Sequence, residues 1–232
     1  MDFDPPSIVY GDSTGIFTIS LTAFNGCGTV TDSVSFELLE ELNAEFTVDT
    51  SFACIPPDFV LGVTNTSTGG NPMYSWSISG PGSPIISDAM AFEPEFTLDT
   101  TGLYVISLEV SNGFCTPSVW TDSVFVSELP EFVLDTLPDN CVGSEVFPGV
   151  TYLNQDLIDS VLWSFPGSTT PFSTDFDPPS IVYGDSTGIF TISLTAFNGC
   201  GTVTDSVSFE LLEELNAECT VDTSCACIPP DF

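Results

Sequence analysis

Apolar residues in this chain recur at every second position in runs of about ten, and clusters of Gly, Asn, Asp, Ser and Pro separate the runs. In LYVISLEVSN (103–112), Tyr104, Ile106, Leu108 and Val110 share one face, while Val105, Ser107, Glu109 and Ser111 share the other. IFTISLTAFN (189–198) repeats the pattern with Phe190, Ile192, Leu194 and Ala196. A period of two predicts half-buried strands. Both runs follow a glycine, Gly102 or Gly188, and both close on Asn-Gly, at 112–113 and 198–199. Asn-Gly predicts a tight hairpin, because both residues accept positive φ. Each turn leads into a second strand opening TDSV, at 121–124 and 204–207.

A longer repeat frames these strands. Asp2–Phe59 aligns with Asp175–Phe232 at an offset of 173 residues, and only two of the 58 positions differ: Phe46 becomes Cys219 and Phe52 becomes Cys225. Within one period lie two diverged halves. Each starts with an EF pair, Glu45-Phe46 or Glu131-Phe132, and places a cysteine 22 residues before a tryptophan, Cys54 with Trp76 and Cys141 with Trp163. A further cysteine follows each Asn-Gly turn, Cys115 or Cys200. The expected organisation is therefore the rear part of a domain over 1–42, complete domains over 43–130 and 131–215, and the first strand of the next over 216–232. The chain reads as a window on a longer array. About seven short strands per half, a core tryptophan and a Cys–Trp–Cys order predict an all-β fold of tandem immunoglobulin-like sandwiches in an extended array.

Charge narrows the function. The chain has 33 Asp and Glu and no Lys, Arg or His, a formal net charge of −33, yet 42% of its residues are hydrophobic. Enough apolar surface is present to fold. With no cationic side chain there is no phosphate clamp, so nucleic acid and anionic membrane surfaces are repelled. Carboxylate repulsion has to be screened by dissolved cations, which suits a salty medium. No stretch approaches the ~20 apolar residues of a membrane span. Eight cysteines without histidine or a CxxC pair favour disulfides over zinc, and hence a secreted, extracellular location.

The stretches NTSTGG…YSWSISG (65–80), EFTLDTTGLYVISLEVSNGFC (95–115) and PPSIVYGDSTGIFTISLTAFNGCG (178–201) resemble PKD domains, the β-sandwich modules strung in tandem on secreted and surface proteins of Bacteroidota. The family's Trp-Asp-Phe-Gly-Asp-Gly turn is degraded here to Trp-Ser-Ile-Ser-Gly (76–80) and Trp-Ser-Phe-Pro-Gly (163–167). Matching positions in the two halves suggest disulfides Cys54–Cys115 and Cys141–Cys200, with Cys27 and Cys227 bonded to residues outside the window. Cys219 and Cys225 lie six apart and, if extended, about 20 Å distant, too far to pair with one another. Interchain cross-links and a tolerated local variation both remain open for them.

Asp followed by Ser or Thr and then by an aliphatic residue or Thr resembles the O-glycosylation acceptor of Bacteroidota, which marks Ser13, Ser33, Thr100, Ser123, Thr136, Ser160, Ser186 and Ser206. Asp, Ser and Thr are equally common at turns and strand edges. Asn65-Thr66-Ser67 fits the N-glycosylation pattern. Asp2, Asp4 and their twins Asp175 and Asp177 are weak calcium candidates, since hard oxygen ligands suit that ion. Calcium and other cations are expected only as counterions, with no organic cofactor. Glu40-Glu41 and Glu213-Glu214 invite a glycosidase reading, but neighbours on a strand point to opposite faces. No Ser-His or Cys-His pair can form, so an enzyme is not expected. The expected role is a structural repeat of a long extracellular filament or adhesin stalk, for attachment, motility or prey capture. Its partners are further repeats of the same chain and laterally associated chains. The alternative is a spacer or carbohydrate-binding module of a secreted hydrolase, for which Trp120 is the free aromatic platform.

Overall fold

The structure is a computed structural model and describes residues 7–218. The chain divides into two compact units, Met1–Glu128 and Leu129–Phe232.

The first unit opens with a hairpin of β1 (Gly15–Asn25) and β2 (Gly28–Leu38), paired antiparallel from Gly15↔Leu38 to Asn25↔Gly28. A sandwich follows. One layer contains β3 (Phe46–Val48), β5 (Phe59–Leu61), β6 (Val63–Asn65), β8 (Ile85–Ile86) and β9 (Phe96–Leu98). It pairs as β3-β6 and β5-β9-β8, extended by a bridge between Asn43 and Thr68. The other layer has the order β4-β11-β10-β7, with β4 (Phe52–Ile55), β7 (Met73–Ser79), β10 (Gly102–Ser111) and β11 (Ser118–Glu128). β4 runs parallel to the last strand and covers only its end, from Phe125↔Phe52 to Glu128↔Ile55.

Alternation places the core between these layers. Tyr104, Ile106, Leu108 and Val110 are all fully buried, as their period requires, against Phe46, Leu61, Phe96 and Leu98. Trp76 packs edge-on to Phe46, with ring centres 4.9 Å apart, and its indole N–H donates to the Ala91 carbonyl at 2.9 Å. A buried tryptophan needs such an acceptor. The Tyr104 hydroxyl donates to the Thr100 carbonyl at 2.8 Å, a tyrosine corner of the immunoglobulin type.

The second unit repeats the plan. Its larger sheet runs β13-β18-β17-β15-β16, with β13 (Asn140–Cys141), β15 (Ser160–Ser164), β16 (Phe172–Ser173), β17 (Gly188–Asn198) and β18 (Gly201–Leu212). Facing it are β12 (Phe132–Leu134) paired with β14 (Val150–Tyr152), and a bridge from Val146 to Ile181. Trp163 is fully buried and stacks on Phe165 at 5.9 Å; its indole N–H donates to the Asp175 carbonyl at 3.1 Å. Phe190 replaces the corner tyrosine and packs on Tyr183, at 4.4 Å between ring centres.

The turns differ from the expectation. β17 and β18 meet through Gly199 and Cys200, so Asn198 stands before the turn rather than in its centre. Asn198 Oδ1 accepts the Cys200 N–H at 2.9 Å, and the positive φ, +142°, falls on Gly201. In the first sandwich the β10–β11 connection takes six residues, 112–117, and Asn112 organises it by accepting from the N–H groups of Phe114 and Cys115 at 3.0 and 2.8 Å. The asparagine acts through its side chain, which closes an Asx turn and relieves the backbone of a primed turn.

Candidate functional site

The cysteines of each sandwich lie at its two ends. We define the head as the end at which the chain comes in and the tail as the end at which its last strand finishes. In the first unit the Ala44 N–H donates to Ser118 Oγ at 2.9 Å, which places the β10–β11 loop, and Cys115 with it, at the head. Cys54 lies beside Ser127 through the parallel β4–β11 pair, at the tail. In the second unit a side chain built on Gly201 would meet Leu129, so the Cys200 turn is at the head, and Cys141 sits opposite Leu212 at the tail.

These positions correct the expected disulfides. Cys115 and Cys141 are free thiols, whereas Cys54 and Cys200 are disulfide-bonded. Neither Cys54–Cys115 nor Cys141–Cys200 therefore exists. From Ser118 to Ser127 the strand advances about 30 Å, and from Gly201 to Leu212 about 36 Å, at ~3.3 Å per residue. A disulfide needs Cα atoms within roughly 7 Å. Equivalent sequence positions had suggested pairing within a module, but they lie at opposite ends of one long strand. Cys27, in the β1–β2 turn, is an exposed free thiol whose N–H donates to Asn25 Oδ1 at 2.9 Å. Cys219, Cys225 and Cys227 lie outside the described residues, as do Asp2 and Asp4.

The acceptor serines and threonines are spread over both units rather than gathered. Ser13, Ser33, Thr136, Ser160, Ser186 and Ser206 are exposed; Thr100 and Ser123 are half-buried. Thr100 also donates to Asp99 Oδ1 at 3.0 Å, and the N–H groups of Ser33, Ser123 and Ser206 each donate to the carboxylate of the preceding aspartate. Asn65 is buried. Its amide donates to the Phe92 carbonyl at 2.9 Å and its Oδ1 accepts from Ser67, so its side chain is committed to the core rather than presented for a glycan. Asp175 and Asp177 are exposed, and the Asp175 carboxylate accepts from Ser173 Oγ at 3.2 Å. Among the described residues no group of three or more acidic, cysteine or histidine side chains is placed to hold a metal ion. Glu40, Glu41, Glu213 and Glu214 all face solvent. Trp120 is 46% exposed on β11, opposite Leu108.

Periodicity could not reveal the most unusual surface. The β1–β2 and β17–β18 hairpins are identical in sequence from Gly15 to Leu38 and from Gly188 to Leu211. In the second unit Ile192 and Leu194 are fully buried; their twins Ile19 and Leu21 are 41% and 73% exposed. The first hairpin thus carries a core-forming face with no opposing layer among the described residues. Its strands are held by their own ladder and by hydroxyl pairs, Thr18 with Ser35 at 2.8 Å and Thr22 with Thr31 at 3.0 Å, which recur as Thr191–Ser208 and Thr195–Thr204. At the base of this hairpin Phe36, Leu38 and Leu39 share a shallow apolar hollow with Phe114 and Cys115.

No protein-family profile matches the chain, and no curated protein matches it in sequence. Among solved structures it is similar to the N-terminal eight Ig domains of Down Syndrome Cell Adhesion Molecule, with a TM-score of 0.50 and 14% identity over 84% of this chain and 28% of that one. An I-band fragment of titin is also similar, with a TM-score of 0.43 and 16% identity over 74% of this chain and 66% of that one. So are Protocadherin Gamma B2 extracellular cadherin domains 1–5, with a TM-score of 0.40 and 13% identity over 88% of this chain and 46% of that one. The chain thus spans less than half the length of the protocadherin fragment. Layer order and strand pairing, with the similarity to the eight-domain Ig structure, make this an all-β protein of tandem immunoglobulin-like sandwiches.

Proposed function

We propose that this chain is a non-catalytic structural repeat of a long, secreted, extracellular filament or adhesin stalk. The observation that carries the reading is the duplicated hairpin, buried in one copy and bare in the other. Residues 1–42 are the rear part of a module whose front layer is a segment equivalent to 131–173, and 43–130 and 131–215 are the successive complete modules. Stacked in this way, the 173-residue period becomes the axial unit, and length follows from repeat number. The junction LLEELNAE (38–45), repeated at 211–218, has no Gly or Ser and favours stiff joints. The adhesion name of the similar eight-domain Ig structure accords with this role. Cations rather than basic side chains balance the acid, and neighbouring chains associate laterally through identical faces. The O-glycan acceptors exposed on both units would decorate such a fibre.

Electron microscopy of the native material tests this reading. A continuous fibre with an axial repeat of two sandwiches is expected. Discrete monomers that bind a polysaccharide would instead favour a carbohydrate-binding spacer, the reading to which half-exposed Trp120 lends support.

A further inference from the structure

Leu39 and Leu212 are the same residue one repeat apart, within the identical segments LLEELNAE at 38–45 and 211–218. In the second unit Cys141 pairs with Leu212 across the β13–β18 ladder, so a tail cysteine lies next to this leucine. In the first unit Leu39 lines the hollow that also contains Cys115, whose Sγ lies 4.0 Å from the carbonyl oxygen of Glu40. One leucine position therefore has a tail cysteine as neighbour in one setting and a head cysteine in the other. If the bare β1–β2 hairpin is completed as its twin β17–β18 is, the Cys141 counterpart is seated beside Leu39, at the thiol of Cys115. Both thiols are accessible, Cys141 exposed and Cys115 partly so.

We propose that the tail cysteine of this type, Cys141, forms a disulfide with the head cysteine of the module that follows it, the counterpart of Cys115. The bond staples successive modules across the LLEELNAE junction. This inference rests on the array reading. The oxidant is a low-molecular-weight disulfide. The Cys141 thiolate attacks it, forming a mixed disulfide and releasing one thiol. The second cysteine thiolate then attacks the Cys141 sulfur and releases the other thiol. Two protein thiols are oxidised to one S–S bond, the small disulfide is reduced to two thiols, and the two protons pass to the departing thiolates.

The test uses the full chain continued by a second copy of residues 60–130, so that Cys141 occurs once, with Cys219→Phe and Cys225→Phe restoring the residues found at 46 and 52. After refolding with oxidised and reduced glutathione, free thiols are alkylated, and the protein is cut with a Glu-specific protease for non-reducing peptide mass mapping. Hydrogen exchange is followed on the same sample. A peptide pair linking Cys141 to the second-copy Cys115 is expected. Changing that second-copy cysteine to serine should raise the alkylated share of Cys141 from under about a tenth to nearly complete. If all modules are protected from exchange while Cys141 remains alkylatable in the parent protein, the staple is wrong and the array stands. If the added module never becomes protected, both the array reading and the staple fail.

Discussion

Two tyrosines show how much one hydroxyl decides. Tyr104 and Tyr183 are both buried, but the first donates to Thr100 and the second has no hydrogen-bond partner among the described residues. A buried polar group without a partner costs about 1–3 kcal/mol, and a satisfied one returns roughly 1 kcal/mol. Tyr104→Phe should therefore destabilise the first sandwich by about 1 kcal/mol, whereas Tyr183→Phe should stabilise the second by a similar amount; chemical denaturation of each variant measures both. Burial pushes the Tyr183 hydroxyl up to about 12, and burial together with the Asp177 carboxylate does the same for Tyr152. Because both values are raised above the ordinary 10.0, their contribution to stability is complete below pH 10. It is lost as pH climbs towards about 12, where the unfolded chain ionises first. The Tyr183→Phe protein should lose less stability over that interval in a pH series of denaturation curves. A loss equal to that of the parent chain would show that Tyr183 plays no part in it.

At the scale of elements, the duplicated hairpin is a controlled comparison. Leu21 and Leu194 have the same neighbours along the chain, yet one is exposed and the other sits in a core. Leu194→Ala should cost about 2–5 kcal/mol through lost burial and the cavity left behind. Leu21→Ala should cost less than about 0.5 kcal/mol, as an exposed substitution does. Equal costs in thermal unfolding would mean that the first hairpin is already covered. Gly69 provides a second check. Its φ is +132°, and an added Cβ would fall 2.9 Å from the backbone of Leu42. Gly69→Ala should thus lower stability by more than about 1 kcal/mol, since both backbone conformation and close approach exclude a side chain. The six-residue β10–β11 loop has four more residues than the β17–β18 turn, and the partner strand slides accordingly: Tyr104 faces Val124, while Phe190 faces Phe209. An even slide keeps every side chain on its own face.

Across the whole molecule, 33 carboxylates and no cationic side chain make folding a contest between core burial and self-repulsion. Salt screens the second without weakening the first. The midpoint of thermal unfolding should rise by several degrees between 10 mM and 0.5 M sodium chloride, read by circular dichroism. A flat response would mean that the acids are too widely spaced to repel.

The strands, their inward faces and the two core tryptophans were legible in the amino-acid order, because a sheet with one buried face writes a period of two into its residues. So were the repeat and the all-β class. Three features came only from the fold. The cysteine pairing depended on which end of a strand each thiol occupies, and strand length, about 30 Å or more here, is invisible to an alignment of equivalent positions. The turn geometry depended on asparagine side chains that take over the bonding of the backbone. The bare face of the first hairpin depended on a partner layer, since a local pattern states which residues seek burial and only tertiary contacts decide whether they find it.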